Sequence, residues 1–299
     1  MLQICTLYVY VSVLAAASSV YAMKQEDMYT DNHGLAAAVA GPDFCVLATD
    51  TRLAGNSGYD ILERHHVQSR IWSAESFGAE EQAAAGPDGS IQISPSAIAS
   101  STTGAQSALS LVASYKSRSP LTWVASVGCQ SDCEHVKRYL RAQLRKVRFF
   151  GQSPSSAPTT ALALSNLLYT RRTFPYYSSC LVAGFSGQDD GIKMHGQVYA
   201  YDVIGSYEAV ATACAGNGRS LLQPILDRTF TSCSEKTPPS KQIDGSLLPE
   251  EVVERLLSAY RAVSEREISV GDSIVFCCTQ RLGDDIFETK IYTAPLKQH

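Results

Sequence analysis

Surplus positive charge is missing from this chain: 25 Lys and Arg stand against 29 Asp and Glu, giving a formal net charge of −4 and a pI near 5.9. Phosphate backbones are held by concentrated cations, so nucleic acid is excluded as the main partner. An even cysteine framework is missing too. Nine cysteines in 299 residues read as free, partly buried thiols in a reducing compartment. No G-x-S-x-G elbow, phosphate-binding P-loop or H-E-x-x-H helix occurs, which removes the commonest hydrolase, nucleotide and zinc-protease signatures. Internal repeats are absent, and no window after residue 22 is apolar enough to span a membrane. What the chain does have is 45% apolar and 18% charged residues, enough for a real core and too little net charge for global disorder.

The first residues allow three readings. Leu2 to Ala22 carries no charge and closes on Ser18-Ser19-Val20-Tyr21-Ala22, like a signal-peptide core with a small-residue cleavage site. It lacks the positive leading region of such peptides, and a run of about 20 apolar residues could also cross a bilayer. Alternatively, Met23 is the start. Residues 1–33 are therefore read as an N-terminal extension or pro-segment with Met23 as alternative start, and residues 34–299 as one domain.

That domain reads as strands, two helices, strands, two helices, strands. Leu35 to Ala40 and Phe44 to Thr49 are apolar runs parted by Gly41-Pro42-Asp43, the pattern of a hairpin of buried strands. Val67 to Trp72 is a further strand. Residues 74–119 differ in kind: 25 of the 46 are Ser, Ala or Gly, without a period of 2 or 3.6. They read as a low-complexity surface insertion, with a marginal helix over Gln106 to Tyr115. Leu121 to Val127 is a strand. Ser131 caps a long helix with Val136, Tyr139, Leu140, Leu144 and Val147 as its core stripe. Thr159 to Thr170 is a second helix, apolar on most sides. Strands follow at Cys180 to Phe185 and Gln197 to Tyr201. Helices follow at Ser220 to Asp227 and from Pro249, with Val253, Leu256, Leu257 and Tyr260 as the stripe. Asp272 to Gln280 and Ile286 to Tyr292 form a closing hairpin. Helices paired between strand groups imply an α+β fold with antiparallel sheets.

Isolated chemical groups carry little. Cys129, Cys133 and His135 lack a second ligand pair for zinc, so small buried thiols are the better reading. Adjacent Cys277 and Cys278 face opposite sides of a strand. His65-His66 reads as a solvated edge. The helix carrying Lys137, Arg138, Arg141, Arg145, Lys146 and Arg148 reads as a solvated basic face, with an acidic partner as the alternative. Gly216-Asn217-Gly218 before a helix is weak support for an anion site.

The specific signal is an ordered set. Ala48-Thr49-Asp50-Thr51-Arg52-Leu53 closes the first hairpin, and Arg171-Arg172-Thr173-Phe174-Pro175-Tyr176-Tyr177 follows the second helix. Val198 to Tyr207, with Asp202 and Gly205-Ser206, comes next, and Leu222-Gln223-Pro224-Ile225-Leu226-Asp227 completes it. Over residues 34–73 and 121–299 this order and spacing resembles the proteasome β-subunit family. The resemblance implies the N-terminal-nucleophile hydrolase fold, a four-layer αββα sandwich of two antiparallel sheets. It also implies a place among the α and β subunits of the 20S proteasome as a hetero-oligomer, without cofactor, metal or membrane. Such a particle carries out ubiquitin- and ATP-dependent protein degradation in the cytoplasm and nucleus.

The family's catalytic set does not carry over. Active members expose an N-terminal Thr whose amine serves as its base, and its release needs a Gly-Thr junction. None of the 20 glycines is followed by Thr. Counting back from Asp50, the nucleophile position falls on Gly34. The lysine expected about sixteen residues after Asp50 would be His66 or Val67, and there is no Lys between Lys24 and Lys116. Asn217, Glu267 and Val270 stand at the family's Ser, Asp and Ser positions. Only Asp50 is kept, so the resemblance implies a non-catalytic structural subunit. Alternatives are an independent hydrolase of this fold with another nucleophile, such as Cys45, or a secreted binding protein if residues 2–22 are a true signal peptide. Arg171, Arg172, Phe174, Tyr176, Tyr177 and Tyr207 are the interface candidates, because Arg and aromatic residues dominate interface hot spots.

Overall fold

Strands β1 (Leu35–Ala40) and β2 (Phe44–Asp50) pair antiparallel across the Gly41-Pro42-Asp43 turn, with Ala36 opposite Thr49 and Ala40 opposite Cys45. Every residue in both is buried, which is why they read as unbroken apolar runs. Strand alternation still sorts their side chains. Leu35, Ala37 and Val39 face one apolar layer, and Ala36, Ala38 and Ala40 face another.

The computed structural model describes residues 29–66, 68–75, 90–92, 109–149, 156–188, 192–230, 247–283 and 286–296. Around β1 and β2 grows a sheet whose order is β12 (Thr212–Gly216), β1, β2, β13 (Ser273–Arg281), β14 (Phe287–Pro295) and β7 (Ser110–Ser117). A second sheet runs β11 (Tyr207–Val210), β10 (Ile192–Tyr201), β9 (Ser178–Gln188), β8 (Trp123–Gly128), β5 (Gln68–Ser73) and β6 (Ser90–Gln92). A short ladder joins β3 (Leu53–Ala54) to β4 (Ile61–Glu63). All of these pairings are antiparallel.

Three apolar layers hold the stack. Between the sheets lie Leu47, Trp123, Leu181 and Val275, with Phe185 and Phe287 edge to face at 5.0 Å. Helices α1 (Gln130–Phe149) and α2 (Ala157–Thr170) cover the second sheet through Val136, Leu140, Ala161 and Leu164. Helices α3 (Arg219–Phe230) and α4 (Pro249–Ser264) cover the first through Leu222, Leu226, Leu256 and Tyr260. This is the expected αββα sandwich. Cys277 lies in the layer between the sheets and Cys278 in the layer under α3 and α4.

Several local expectations change. The stretch 74–119 is not wholly a surface insertion: β6 pairs with β5 and β7 with β14, so it supplies an outermost strand to each sheet. Ile91 is fully buried between the sheets, and Val112, Ala113 and Tyr115 pack on the same layer. The helix expected over Gln106 to Tyr115 is strand from Ser110 onward. Sheet pairing with β14 overrides the small-residue composition; residues 76–89 and 93–108 lie outside the described residues.

Helix α1 begins at Gln130, one residue before the expected Ser131 cap, and its first amide is capped from far away: Gln130 N–H donates to Asn32 Oδ1 at 2.9 Å. Tyr139 is exposed instead of core. Lys137 and Arg141 are buried instead of solvated, Lys137 on Glu134 at 2.6 Å and Arg141 donating to Glu75 O at 3.3 Å. Helix α2 also leaves Leu162 and Tyr169 exposed. Residues 1–22 and Met23 lie outside the described residues, among which no helix is long and apolar enough to cross a membrane.

Candidate functional site

The start of β1, the end of β2, the middle of β5 and the end of β12 converge around Gly34. Asp50 ends β2 fully buried and accepts the Leu35 amide at 2.9 Å. Arg70, pointing in from β5, donates Nη1 to Asp50 Oδ1 at 2.5 Å and Nη2 to the carbonyls of Arg52 at 2.6 Å and Asn32 at 3.2 Å. Burial pushes the Asp50 carboxyl above the ordinary carboxylate range, against the pull of Arg70 and the Leu35 amide.

Arg70 also explains the glycine. Gly34 has φ +105°, and a Cβ built there would overlap the Arg70 guanidinium. The cation beside Asp50 is Arg70, 20 residues further along the chain. His66 lies elsewhere, with Nδ1 2.7 Å from Glu63 Oε2. Val67 lies outside the described residues. The β3–β4 ladder between β2 and β5 breaks a simple residue count.

On the other side of Gly34, the Asn217 amide donates to Gly34 O at 2.9 Å. Asn217 Nδ2 donates to His33 Nδ1 and to Ser269 Oγ, the latter at 3.2 Å. Ser269 in turn donates to Glu267 Oε1 at 2.7 Å. Asn217 and Glu267 thus join one network with Ser269, whereas Val270 turns into the apolar layer under α4. Asn32 and His33 belong to the same assembly: Asn32 Nδ2 donates to Ala54 O at 3.3 Å, and Gly128 N–H donates to His33 O at 3.1 Å. Behind it, Arg52 donates to Ile268 O at 2.6 Å and to Asp272 Oδ1 at 2.7 Å, fixing the turn before β13.

Residue counting missed Arg70, Ser269, Asn32 and His33. Only Arg70 left a signal, an arginine directly before Ile71-Trp72 in a strand.

A cleft of about 360 Å³ opens beside this network, lined by His33, Gly34, Gly128, Tyr177, Asn217 and Arg219. It offers little chemistry. Position 34 has no side chain, and its amide nitrogen is bonded to His33. Ser269 is fully buried. Cys45 is buried between the sheets, its thiol pushed well above the ordinary range by burial. Cys133 is buried with its thiol pushed up to about 12, while His135 is exposed and stacks on Tyr176 at 5.4 Å. Among the described residues no group of three or more His, Cys, Asp or Glu is placed to hold a metal.

The interface candidates fall on one side of the second sheet. Arg171, Arg172, Phe174 and Tyr177 are exposed and Tyr176 is half-buried. Tyr207 is exposed and packs on Tyr199 at 5.8 Å and Tyr201 at 5.5 Å.

Comparison with known proteins agrees with this architecture. The family model described as "Proteasome subunit" matches residues 116–277. "Proteasome subunit beta type-1" of Oryza sativa subsp. japonica is 27% identical over 256 residues, covering 86% of this chain and 92% of that protein. The protein of the same name from Drosophila melanogaster is 29% identical over 255 residues, 85% of each. "Probable proteasome subunit beta type-6" of Encephalitozoon cuniculi (strain GB-M1) is 34% identical over 119 residues, 40% of this chain and 38% of that one.

Proposed function

Since the chain belongs to the proteasome subunit family, we propose that it is a non-catalytic β-type subunit of the core particle, of the beta type-1 kind, that builds the ring without cutting peptides. One observation carries this reading: the place where a nucleophile's side chain would start is a glycine, and the Arg70 guanidinium fills that space. A nucleophile whose own amine is its base also needs a free N-terminus. Here Asn32 and His33 are hydrogen-bonded into the fold on the other side of that peptide bond.

Its partners are the other α and β subunits, and its contribution to ubiquitin- and ATP-dependent degradation is structural. The seven cysteines among the described residues are free thiols, which supports a cytoplasmic and nuclear location. The test is to treat assembled particles with a threonine-directed epoxyketone and analyse this subunit by mass spectrometry. An unmodified chain with an intact His33–Gly34 bond is expected. A covalent adduct, or a free amine at Gly34, overturns the reading.

A further inference from the structure

Asn217-Gly218, at the turn that starts α3, is the only Asn-Gly pair in the sequence. In such a pair the glycine nitrogen can attack the asparagine side-chain carbonyl, because no Cβ obstructs its approach. Asparagine is among the thermolabile residues for reasons of this kind. Asn217 is half-buried and lines the cleft beside Gly34, so water reaches it.

The fold holds both reacting groups in place. The Asn217 amide donates to Gly34 O at 2.9 Å. Asn217 Nδ2, the nitrogen that would leave, donates to His33 Nδ1 and to Ser269 Oγ. Gly218 lies at φ +79°, and its carbonyl accepts the Leu221 and Leu222 amides, each at 2.9 Å. Ring closure requires Asn217 to swing its Cγ onto the Gly218 nitrogen, which breaks the bonds to His33 and Ser269. Reaction therefore waits on local opening.

The two holders differ in how firmly they are kept. Ser269 is fully buried and donates onward to Glu267 Oε1 at 2.7 Å. His33 belongs to the short arm Asp31-Asn32-His33, whose outer end is tied to an exposed loop: Asp31 N–H donates to Asn56 Oδ1 at 2.5 Å. The His33 ring lies 3.4 Å from the Asp31 carboxylate, so ring and arm end move together. The arm is the weaker half of the clamp.

We infer that Asn217-Gly218 is a latent self-modification site gated by His33: the docked arm keeps the pair unreactive, and release of the arm starts its deamidation. The Gly218 nitrogen bonds to Asn217 Cγ and gives its proton to water. The Cγ–Nδ2 bond breaks, and the side-chain nitrogen leaves as ammonia. One water then opens the ring to aspartate or isoaspartate, with no change of oxidation state. The product can no longer donate to His33 and Ser269, and it adds a carboxylate beside the Ser269–Glu267 pair. Isoaspartate also inserts a methylene into the backbone between β12 and α3. The change is a permanent record of arm release, and it stands apart from the subunit role proposed above.

The test compares the full-length chain with the capped peptide Ala215–Ser220 at neutral pH and physiological temperature, with mass-spectrometric peptide mapping as readout. Wild type should deamidate at Asn217 at least roughly tenfold more slowly than the peptide. His33→Ala should raise the wild-type rate roughly tenfold. Asn56→Ala loosens the arm from an exposed position without touching Asn217, and it decides the matter where His33→Ala does not fold by circular dichroism. Ile91→Ala weakens the fold from between the sheets and should leave the rate at the wild-type value.

Deamidation of wild type at the peptide's rate overturns the inference. So does a folded His33→Ala that reacts no faster than wild type or, where that variant is unfolded, a folded Asn56→Ala that reacts no faster. Equal acceleration in Ile91→Ala would assign the reaction to global unfolding and overturn the gate.

Discussion

Gly34 and Arg70 compete for one volume: the guanidinium that neutralises Asp50 lies where a side chain on residue 34 would have to begin. The absence of a side chain at 34 and the presence of a long cation at 70 are one structural fact, and either substitution alone disturbs the other residue.

Gly34→Ala should therefore destabilise the protein by about 2–4 kcal/mol, from the left-handed backbone and the overlap together. Arg70→Met removes the overlap but leaves Asp50 buried without its cation, a loss of about 3–5 kcal/mol. Chemical denaturation of both variants and the double variant checks this. The double should cost less than the two singles added, since the overlap is absent once Arg70 is gone; strict additivity would show that the residues do not compete.

Alkaline pH should unfold the chain through its thiols. Burial raises Cys180 from 9.0 to about 11 and Cys133 from 9.0 to about 12. In the unfolded chain these thiols ionise near 9, while in the fold they keep their protons. Their contribution to stability is thus complete below pH 9 and is lost as pH rises toward 11–12. Denaturation midpoints between pH 8 and 11 should fall, by up to about 1.4 kcal/mol per pH unit for each such thiol. Cys180→Ala should make the fall shallower, and an unchanged slope would remove that thiol from the account.

Ile91 reports on whether the Ser/Ala/Gly-rich stretch is structural. It is fully buried between the sheets. Ile91→Ala should cost about 2–4 kcal/mol in a thermal or urea melt. A cost near zero would return the stretch to the status of a surface appendage.

Tyr176→Ala with Tyr177→Ala probes the aromatic segment after α2. Tyr177 is exposed and Tyr176 is half-buried against His135, so the free chain should keep its circular dichroism while incorporation into the particle drops several-fold. Unfolding of the free variant would assign both rings to the subunit's own packing.

Much of the fold was legible because its strands and helices announce themselves locally. The Gly41-Pro42-Asp43 turn, the Pro249 helix start and the stripe ending in Tyr260 each need only their own neighbours. The stretch containing Ser110 to Ser117 did not, since its strand exists by pairing with β14, far off in sequence. Lys137 and Arg141 were misread because composition does not show which face of a basic helix meets Glu75 and the second sheet. At the site, counting from Asp50 reaches Gly34, but its neighbour Arg70 was not visible. Counting from Asp50 passes through the β3–β4 excursion, and only the folded chain shows which residue arrives beside the carboxylate.

The cap that Asn32 places on α1 also has a consequence in time. The two residues it joins are 98 positions apart, so the first turn of α1 has no such partner until the strand following Asn32 has docked. Closing so long a loop comes late, after local contacts have formed. Interactions that form after the transition state act mainly on the unfolding rate. Asn32 is thus expected to act as a latch: Asn32→Ala should raise the unfolding rate while leaving the folding rate nearly unchanged, as stopped-flow refolding and unfolding would show.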